Sequence, residues 1–269
     1  MTLSVVLLVG LVGDGSAAHR SSGARWVDPH SVAAPTAARS DSTPARTASP
    51  DPHLPADLLA RLPRFGPPPP AVPLPQVPGP RAPWLARIPT DQPVAFLTID
   101  DGWVRTPEVA ALFETAHVPV TLFLMIDAIR ADPGYFARFQ NAGARIEAHT
   151  ISHPSLRDRP YGQQRHQICD SADQLGAWYG RRPALFRAPF GEHDATTLAA
   201  AHDCGMRAVL FWRETVNNGI VRYQQGSTVR AGDIILMHFR PRFVDDFIAA
   251  LQAIKAAGLT PALLEDYLP

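Results

Sequence analysis

From Asp91 to the end of the chain, short apolar runs alternate with segments whose apolar residues recur at helical spacing. The runs predict strands, and the segments between them predict helices. This alternation indicates parallel strands joined by crossover helices, and about seven strands in so short a stretch favour a distorted (β/α) barrel over an open sheet. The predicted strands are 94–98, 120–125, 145–148, 185–187, 208–211, 234–237 and 259–262, and the predicted helices are 107–117, 133–141, 163–179, 195–204 and 243–257.

The first 18 residues predict a secretory signal peptide. Residues 3–12 are apolar apart from one serine and one glycine, and small residues follow at 16–18, where a signal peptidase cuts. The run is shorter than the roughly 20 residues that a membrane span needs. Asp14 and the absence of Lys or Arg before the run count against a signal, although a start codon further upstream would supply the missing charge. We expect a secreted or cell-wall-associated protein with no stable membrane span.

A proline-rich stretch, residues 19–90, separates this segment from the predicted barrel. It holds 17 of the 28 prolines, four of them in a row at 67–70. Proline removes backbone donors and favours extended polyproline geometry. We therefore predict a disordered, semi-rigid linker over 19–90 and a globular domain over 91–269.

Charge and cysteine content narrow the function classes. The formal net charge is zero and the basic residues form no stripe, so nothing in the sequence indicates nucleic-acid binding. Cys169 and Cys204 are too few for a disulfide scaffold and have no Cys-x-x-Cys spacing. They lie on successive predicted helices, which usually pack side by side in a barrel. In an exported protein they could form one disulfide; the alternative is two small buried apolar side chains.

Two adjacent carboxylates end the first predicted strand. Asp100 and Asp101 follow the apolar run directly, and Gly102 permits a sharp turn after them. Two like charges side by side cost free energy unless a cation takes up the charge, which a metal ion does. In isolation this tripeptide is more often a solvated turn, so the residues that follow the other strands decide its meaning.

Two histidines follow the third predicted strand. His149 and His153 are four residues apart, which places both imidazoles on one side of a helical turn. Two neutral imidazoles and one carboxylate form a divalent-metal site that leaves positions open for water and substrate. Zinc is the first choice for this ligand set, and cobalt, nickel or manganese could also serve.

The remaining unusual polar residues also follow predicted strands. Arg187 ends the fourth strand, Trp212 and Glu214 follow the fifth, and His238 ends the sixth. A parallel barrel has its active site at the carboxyl ends of its strands, so these side chains are expected to meet there. The ordinary alternatives are a strand-end arginine that pairs with a surface acid and a core histidine with satisfied hydrogen bonds.

Four of these segments together resemble the ordered motifs of the NodB-type polysaccharide deacetylases, carbohydrate esterase family four. They are Thr-Ile-Asp-Asp-Gly at 98–102, His-x-x-x-His-Pro at 149–154, Arg-Ala-Pro-Phe-Gly at 187–191 and Leu-Met-His at 236–238. The resemblance covers 94 to about 262 and implies a NodB-homology barrel. It further implies that 91–269 is the catalytic domain of a metal-dependent hydrolase that removes N-acetyl groups from a polysaccharide, either peptidoglycan or a chitin-like polymer.

The resemblance also implies a role for each of these residues. Asp101, His149 and His153 would ligate the metal, and Asp100 would be the general base for the attacking water. Arg187 would pair with Asp100, lower its pKa and keep it ionised at neutral pH.

Three further roles follow from the same resemblance. The backbone N–H near Phe190 would bind the oxyanion, His238 would be the general acid for the leaving amine, and Trp212 would form a wall of the acetyl pocket. A further segment, the one after Trp212, departs from the family, because Arg213, Glu214 and Thr215 stand where aspartates usually follow the tryptophan. Glu214 is a candidate replacement that would orient and tune His238.

Two alternatives stay open. An O-acetyl esterase acting on a polysaccharide such as xylan would use the same metal and base, and its alkoxide leaving group needs less help from the acid. A catalytically silent carbohydrate-binding protein would also fit the barrel, although the retained metal-binding and catalytic residues argue against it. In each case we expect a monomer whose partner is a polysaccharide.

Overall fold

The computed structural model describes residues 54–269, and the predicted signal peptide lies outside them. No helix in this part of the chain is both long and apolar enough to cross a membrane. Its strands are β1 Trp84–Leu85, β2 Val94–Asp101, β3 Thr121–Leu124, β4 Arg145–Ala148, β5 Leu185–Phe186, β6 Ala208–Leu210, β7 Glu214–Asn217, β8 Ile220–Tyr223, β9 Ile234–His238 and β10 Thr260–Pro261. Its α-helices are α1 Ala56–Arg61, α2 Pro107–Ala116, α3 Ile126–Ile129, α4 Gly134–Asn141, α5 Tyr161–Tyr179, α6 Ala195–Asp203 and α7 Phe243–Ala256.

The predicted barrel is confirmed, with each of the seven predicted strands and five predicted helices in place. The strands form one sheet in the order β1-β6-β5-β4-β3-β2-β9-β7-β8, and β10 pairs with the start of β2. Every pairing is parallel except the β7–β8 hairpin. Residues after β1 also reach across to the chain before β9, where the Ile88 N–H donates to the Gly232 carbonyl at 2.8 Å. This contact joins the two sides of the sheet into a distorted barrel.

Strand β2 lies inside the sheet between β3 and β9, and its two faces pack differently. Ala95, Leu97 and Ile99 belong to the larger apolar cluster, which lies between the sheet and the helices. Val94 and Phe96 face the second cluster, which includes the C-terminal residues around Tyr267. Because side chains alternate along a strand, the face that carries Val94 and Phe96 also carries Thr98 and Asp100. An apolar plug thus lies below the polar residues that end the strand.

A hairpin that the sequence pattern did not predict flanks the carboxyl end of β9. Strands β7 and β8 are joined by Asn218 and Gly219, which both have positive φ angles of 57° and 74°. Asn-Gly is the preferred two-residue turn for a twisted hairpin, because both positions tolerate that conformation. The backbone N–H of Gly219 donates to the buried carboxylate of Asp246 in α7 at 2.6 Å, which fixes the turn against the helix.

The boundary placed at Asp91 is too late in the chain. Within the predicted linker, Leu54, Ala82 and Ile88 are buried, and β1 pairs with β6. The Lys255 ammonium of α7 also donates to the carbonyl of Arg64 at 2.9 Å. The many prolines obscured these apolar anchors, so the described part of 19–90 packs on the barrel rather than forming a free spacer.

Of the two alternatives left open for the cysteines, the structure shows the disulfide. Cys169 in α5 and Cys204 directly after α6 form a disulfide. Helices α5 and α6 pack side by side, and both cysteines are buried in the larger apolar cluster. The bond therefore connects two elements that already share a core, and it closes a loop with a sequence separation of 35 residues.

We predict that the double variant Cys169→Ala/Cys204→Ala is less stable than the oxidised wild type by about 2–4 kcal/mol, because the unfolded chain loses a constraint. Urea unfolding at constant pH measures the difference. A reducing agent should lower the stability of the wild type and leave the variant unchanged. Equal stability of the oxidised wild type and the variant, or two free thiols in the unreduced denatured protein, would contradict the prediction.

Candidate active site

The two aspartates end β2 with their side chains in one cleft. Asp100 is still in regular strand geometry, whereas Asp101 has a φ of 76°. Gly102 follows with a φ of 115°, and a Cβ at this position would lie 2.4 Å from the Ile129 side chain. Only glycine fits this turn, and the turn places both carboxylates at the carboxyl edge of the sheet.

Asp101, His149 and His153 bring three potential metal ligands together. The Nε2 atoms of the two histidines are 3.1 Å apart. The Asp101 Oδ1 atom lies 3.6 Å from Nε2 of His149 and 3.7 Å from Nε2 of His153. Ligands about 2.0–2.1 Å from a tetrahedral zinc ion are separated by roughly 3.4 Å from one another, so the three atoms have the spacing of a metal site.

Two further observations test whether a divalent cation fits. The Nδ1–H of His149 donates to the carbonyl of Arg187 at 2.8 Å, so its Nε2 lone pair points toward the other ligands. Burial lowers the pKa of His149 to about 4, which keeps this imidazole neutral. The Asp101 Oδ1 atom is buried and accepts no hydrogen bond in the described structure. An orphaned carboxylate oxygen facing a neutral imidazole nitrogen fits a divalent cation.

Arg187 holds Asp100 in a buried ion pair. Its Nη1 atom donates to Asp100 Oδ1 at 2.7 Å and to Thr98 Oγ1 at 2.8 Å. Arg187 is fully buried, and its guanidinium lies 4.3 Å from the centroid of the Phe123 ring. The pairing is as expected, but the pKa of Asp100 is raised rather than lowered, because desolvation outweighs the attraction of Arg187.

The segment after β5 places Phe190 on the rim of the cleft. Its backbone has a φ of 60°, and its ring is 63% exposed and meets the ring of His153 edge-on at 4.6 Å. The next residue, Gly191, has a φ of 71°, and a Cβ there would lie 2.0 Å from the Phe211 ring. The backbone N–H of Phe190 makes no hydrogen bond within the described residues, so it is available as a donor.

These residues line one cleft of about 560 Å³. The predicted residues Asp100, Asp101, His149, His153, Phe190, Trp212 and His238 all line it. Arg187 lies beneath the cleft, where it contacts Asp100 and lies 5.8 Å from the Trp212 ring centroid. The structure therefore brings together every predicted site residue except Glu214.

The expected partnership between Glu214 and His238 is wrong. Glu214 pairs in register with Ile235, so its side chain leaves the sheet on the face opposite to Leu236 and His238. It lines a separate small pocket with Asp233 and is almost fully buried. Glu214 follows Trp212 closely in the sequence, but its side chain points away from His238. The register of β7, a strand that the sequence did not predict, sets this direction.

His238 has no acidic partner among the described residues. Its pKa is lowered to about 3, first by burial and then by the positive charge of Arg240. The positive charge of Arg187 lowers it further. The imidazole is therefore neutral in the free protein at neutral pH.

Sequence reasoning missed several residues that line the cleft. Thr215, Asn217 and Arg222 belong to the hairpin, and Arg240 follows β9 by two residues. The Asn-Gly turn was the signal that could have revealed the first three, because it predicts a hairpin directly after Trp212. Arg240 had no local signal, since an arginine after a strand is ordinarily a surface residue.

Comparison with known proteins identifies the family. A family model described as polysaccharide deacetylase matches residues 87–209. An uncharacterised protein of Streptomyces coelicolor is 38% identical over 192 residues, which cover 69% of this chain and 77% of that protein. The chain belongs to the polysaccharide deacetylase family. The predicted resemblance and enzyme class are thereby confirmed, although His238 lies beyond the matched segment.

Two further relatives and two solved structures share this domain. A peptidoglycan-N-acetylglucosamine deacetylase of Bacillus cereus is 28% identical and matches 54% of this chain and 55% of its own. A chitooligosaccharide deacetylase of Bradyrhizobium is 28% identical and matches 62% of this chain and 83% of its own. A family 4 carbohydrate esterase from Streptomyces lividans, solved with acetate, has a TM-score of 0.55 at 21% identity, covering 64% of this chain and 93% of its own. A family 4 pseudoenzyme from Bacillus anthracis has a TM-score of 0.60 at 16% identity and covers 68% of each chain. Both structures show the same fold.

The corrected position of Glu214 predicts a pH-dependent stability. Burial and the nearby charge of Asp233 raise the pKa of Glu214 to about 8, far above that of an unfolded glutamate. Between about pH 5 and pH 8 the folded protein then holds a proton that the unfolded chain has lost, so stability falls as pH rises, by up to about 1.4 kcal/mol per pH unit. Glu214→Gln removes this loss and should gain stability relative to the wild type toward pH 8.

Urea unfolding at pH 5 and pH 8 measures the effect. Glu114→Gln is the matched control, because Glu114 is exposed on α2 and should leave the pH dependence of the wild type unchanged. If Glu214→Gln and Glu114→Gln follow the wild type equally at both pH values, the assignment of a buried protonated Glu214 is wrong.

Proposed function

We propose that this chain is a metal-dependent hydrolase that removes N-acetyl groups from a polysaccharide. The observation that carries the proposal is the juxtaposition of two parts in one open cleft. One part is the Asp101, His149 and His153 cluster, and the other is Asp100, held by Arg187. The Oδ2 atom of Asp100 lies 3.6 Å from Nε2 of His149, so the proposed base and the proposed metal ligands face the same space.

Asp100 is positioned to remove a proton from the attacking water. A divalent metal bound by Asp101, His149 and His153, most simply zinc, would polarise the acetyl carbonyl and make that water more acidic. Desolvation raises the pKa of Asp100 above its ordinary value, which strengthens it as a base, while Arg187 limits the rise and fixes the carboxylate. Such a positioned base contributes roughly 10²–10⁴-fold to the rate.

Other residues of the cleft complete the reaction. The free N–H of Phe190 is available to donate to the oxygen that becomes negative as water adds, and a donor of this kind is worth about 3–4 kcal/mol. Trp212 forms part of the cleft wall. His238 faces the same space. Because its imidazole is neutral in the free protein, it would first have to take up a proton, such as the one that Asp100 removes from the water, and would then pass it to the leaving nitrogen.

A polysaccharide substrate agrees with the open cleft and its aromatic rim. Phe190, which lines the cleft, is 63% exposed, and the Trp212 ring lines the same cleft. Large exposed rings beside a cleft commonly mark ligand-binding surfaces. The Bacillus and Bradyrhizobium relatives named as deacetylases support peptidoglycan or a chitin-like polymer as the substrate class.

We also propose that the protein is exported. The Cys169–Cys204 disulfide supports this, because disulfides persist in oxidising compartments and are rare in the cytosol. A secreted or cell-wall location would bring the cleft to its polymer.

The environment of His238 favours one second candidate, an O-acetyl esterase. A general acid usually depends on a carboxylate that raises its pKa, and none contacts His238 in the described structure. An alkoxide leaves without prior protonation more easily than an amine does. The same cleft would therefore tolerate an ester, such as an acetylated xylan, better than an amide.

We predict that metal binding and base catalysis separate by mutation. His149→Ala and Asp101→Asn should lose both the metal and activity, because each removes a ligand of the cluster. Asp100→Asn should keep the metal and lose at least about 10²-fold in kcat, because it removes only the base. Metal content and acetate release from N-acetylglucosamine oligomers, with and without a chelator, measure the two properties. Loss of metal in Asp100→Asn and its retention in Asp101→Asn would mean that the two roles are reversed.

We predict that His238→Ala impairs amide substrates more than esters. An amine must be protonated to leave, so kcat on N-acetyl substrates should fall by about 10²-fold or more. The kcat on acetyl esters should fall much less. Acetate release from matched N-acetyl and O-acetyl glycans gives the ratio. An equal loss on both substrates would remove the proposed role of His238 as an acid, and release from neither substrate by the metal-loaded wild type would favour a binding protein.

A further inference from the structure

Two arginines in the cleft have no role in the chemistry described above. Arg222 on β8 and Arg240 after β9 both line the space that contains the metal ligands. The side chain of Arg222 makes one hydrogen bond in the described structure, from Nη1 to the carbonyl of Asn217 at 3.5 Å. Arg240 makes no ion pair with any described carboxylate, although its charge reaches Asp100, Asp101 and His238.

The strand register explains why Arg222 faces the cleft. Leu236 on β9 is directly opposite Thr215 on β7, and Thr215 is directly opposite Arg222 on β8. Residues opposite one another on paired strands project from the same face of a sheet. Leu236 lies two residues before His238 and shares its face, so this row places the Arg222 guanidinium on the catalytic side.

The charged side chains in and beneath the cleft are not all paired with one another. The carboxylates of the cleft are Asp100 and Asp101, and the first is neutralised by Arg187 at 2.7 Å. Asp101 faces His149 and His153, and a metal ion bound by all three would neutralise its charge. Arg222 and Arg240 are both exposed in the cleft and form no ion pair with a described carboxylate, so their guanidinium groups are accessible to an anionic ligand. Arginine is suited to binding carboxylates, because its planar fork donates two parallel hydrogen bonds.

We propose that Arg222 and Arg240 form a subsite for a carboxylate of the glycan. The inference rests on the proposed deacetylase function and narrows it: the substrate carries a carboxylate within about one sugar ring of the acetyl group that is removed. That carboxylate is supplied by either a lactyl ether on the acetylated sugar or a neighbouring uronic acid. A wholly neutral N-acetylglucosamine polymer would form no ion pair with either arginine.

The subsite can be tested with pairs of glycans that differ only in the charge of the carboxylate. One arm uses soluble peptidoglycan oligosaccharides, whose muramic acid supplies the lactyl carboxylate, and the other uses alternating N-acetylglucosamine–glucuronate oligosaccharides. In each arm the acid is compared with its methyl ester, which keeps the acetyl group and removes the charge. In the arm that supplies the correct carboxylate, we expect kcat/KM to be about tenfold higher for the acid than for its methyl ester. This factor corresponds to one hydrogen bond to a charged group, which the ester loses.

The variants Arg222→Gln and Arg240→Gln locate the effect. Each should lower the ratio of acid to ester kcat/KM about tenfold, mainly through KM. Arg213→Gln is the matched control, because Arg213 lies near the same hairpin but lines the separate pocket with Glu214. It should keep the ratio of the wild type. Calorimetric binding of the same acid and ester glycans to metal-free protein gives a second measurement that does not depend on turnover.

The outcomes separate this inference from the function on which it rests. Acid and ester forms of equal kcat/KM and equal Kd in both arms would overturn the subsite and leave the deacetylase intact. A lowered ratio in Arg213→Gln as large as in Arg240→Gln would also overturn it. Absence of acetate release from every glycan would contradict the proposed function, while the binding measurement would still decide the subsite. If a variant fails to fold, the wild-type comparison of acid and ester remains decisive.

Discussion

The buried ion pair between Arg187 and Asp100 is the interaction on which the catalytic cleft depends. Arg187 extends from the end of β5 across the inside of the barrel, where its side chain donates to Asp100 and Thr98 of β2. Its own backbone carbonyl accepts the Nδ1–H of His149. One residue therefore orients both the proposed base and a proposed metal ligand. Removing one partner of such a buried pair costs about 3–5 kcal/mol, so the site and the barrel are stabilised together.

The remainder of the cleft follows from the direction of the strands. Because parallel strands share one carboxyl edge, Asp101, His149 and His238 meet although they are distant in sequence. The apolar plug of Phe96 and Tyr267 beneath them keeps Asp100 and His149 dehydrated. This dehydration raises the pKa of Asp100 and lowers that of His149, which suits a base and a neutral ligand respectively.

The sequence could predict the barrel and most of the site, because alternating periods and polar residues at strand ends are local signals. It could not predict the direction of Glu214, which depends on the register of β7 against β9. It also missed that the segment around Ile88 packs on the barrel, because isolated apolar anchors among prolines show no periodicity. The direction of the pKa shift of Asp100 could not be predicted for a related reason. The sequence indicates that Arg187 is its partner, but the burial of Asp100, which raises the pKa, depends on tertiary packing.

X-ray absorption at the zinc edge, combined with metal analysis of the purified protein, tests the central claim most directly. We expect one zinc ion per chain with two imidazole nitrogens and at least one oxygen in its coordination sphere, as the geometry of Asp101, His149 and His153 requires. Under the same conditions, a protein that binds no stoichiometric metal after addition of zinc, cobalt, nickel or manganese would contradict it. Zinc bound without imidazole ligands would contradict it equally.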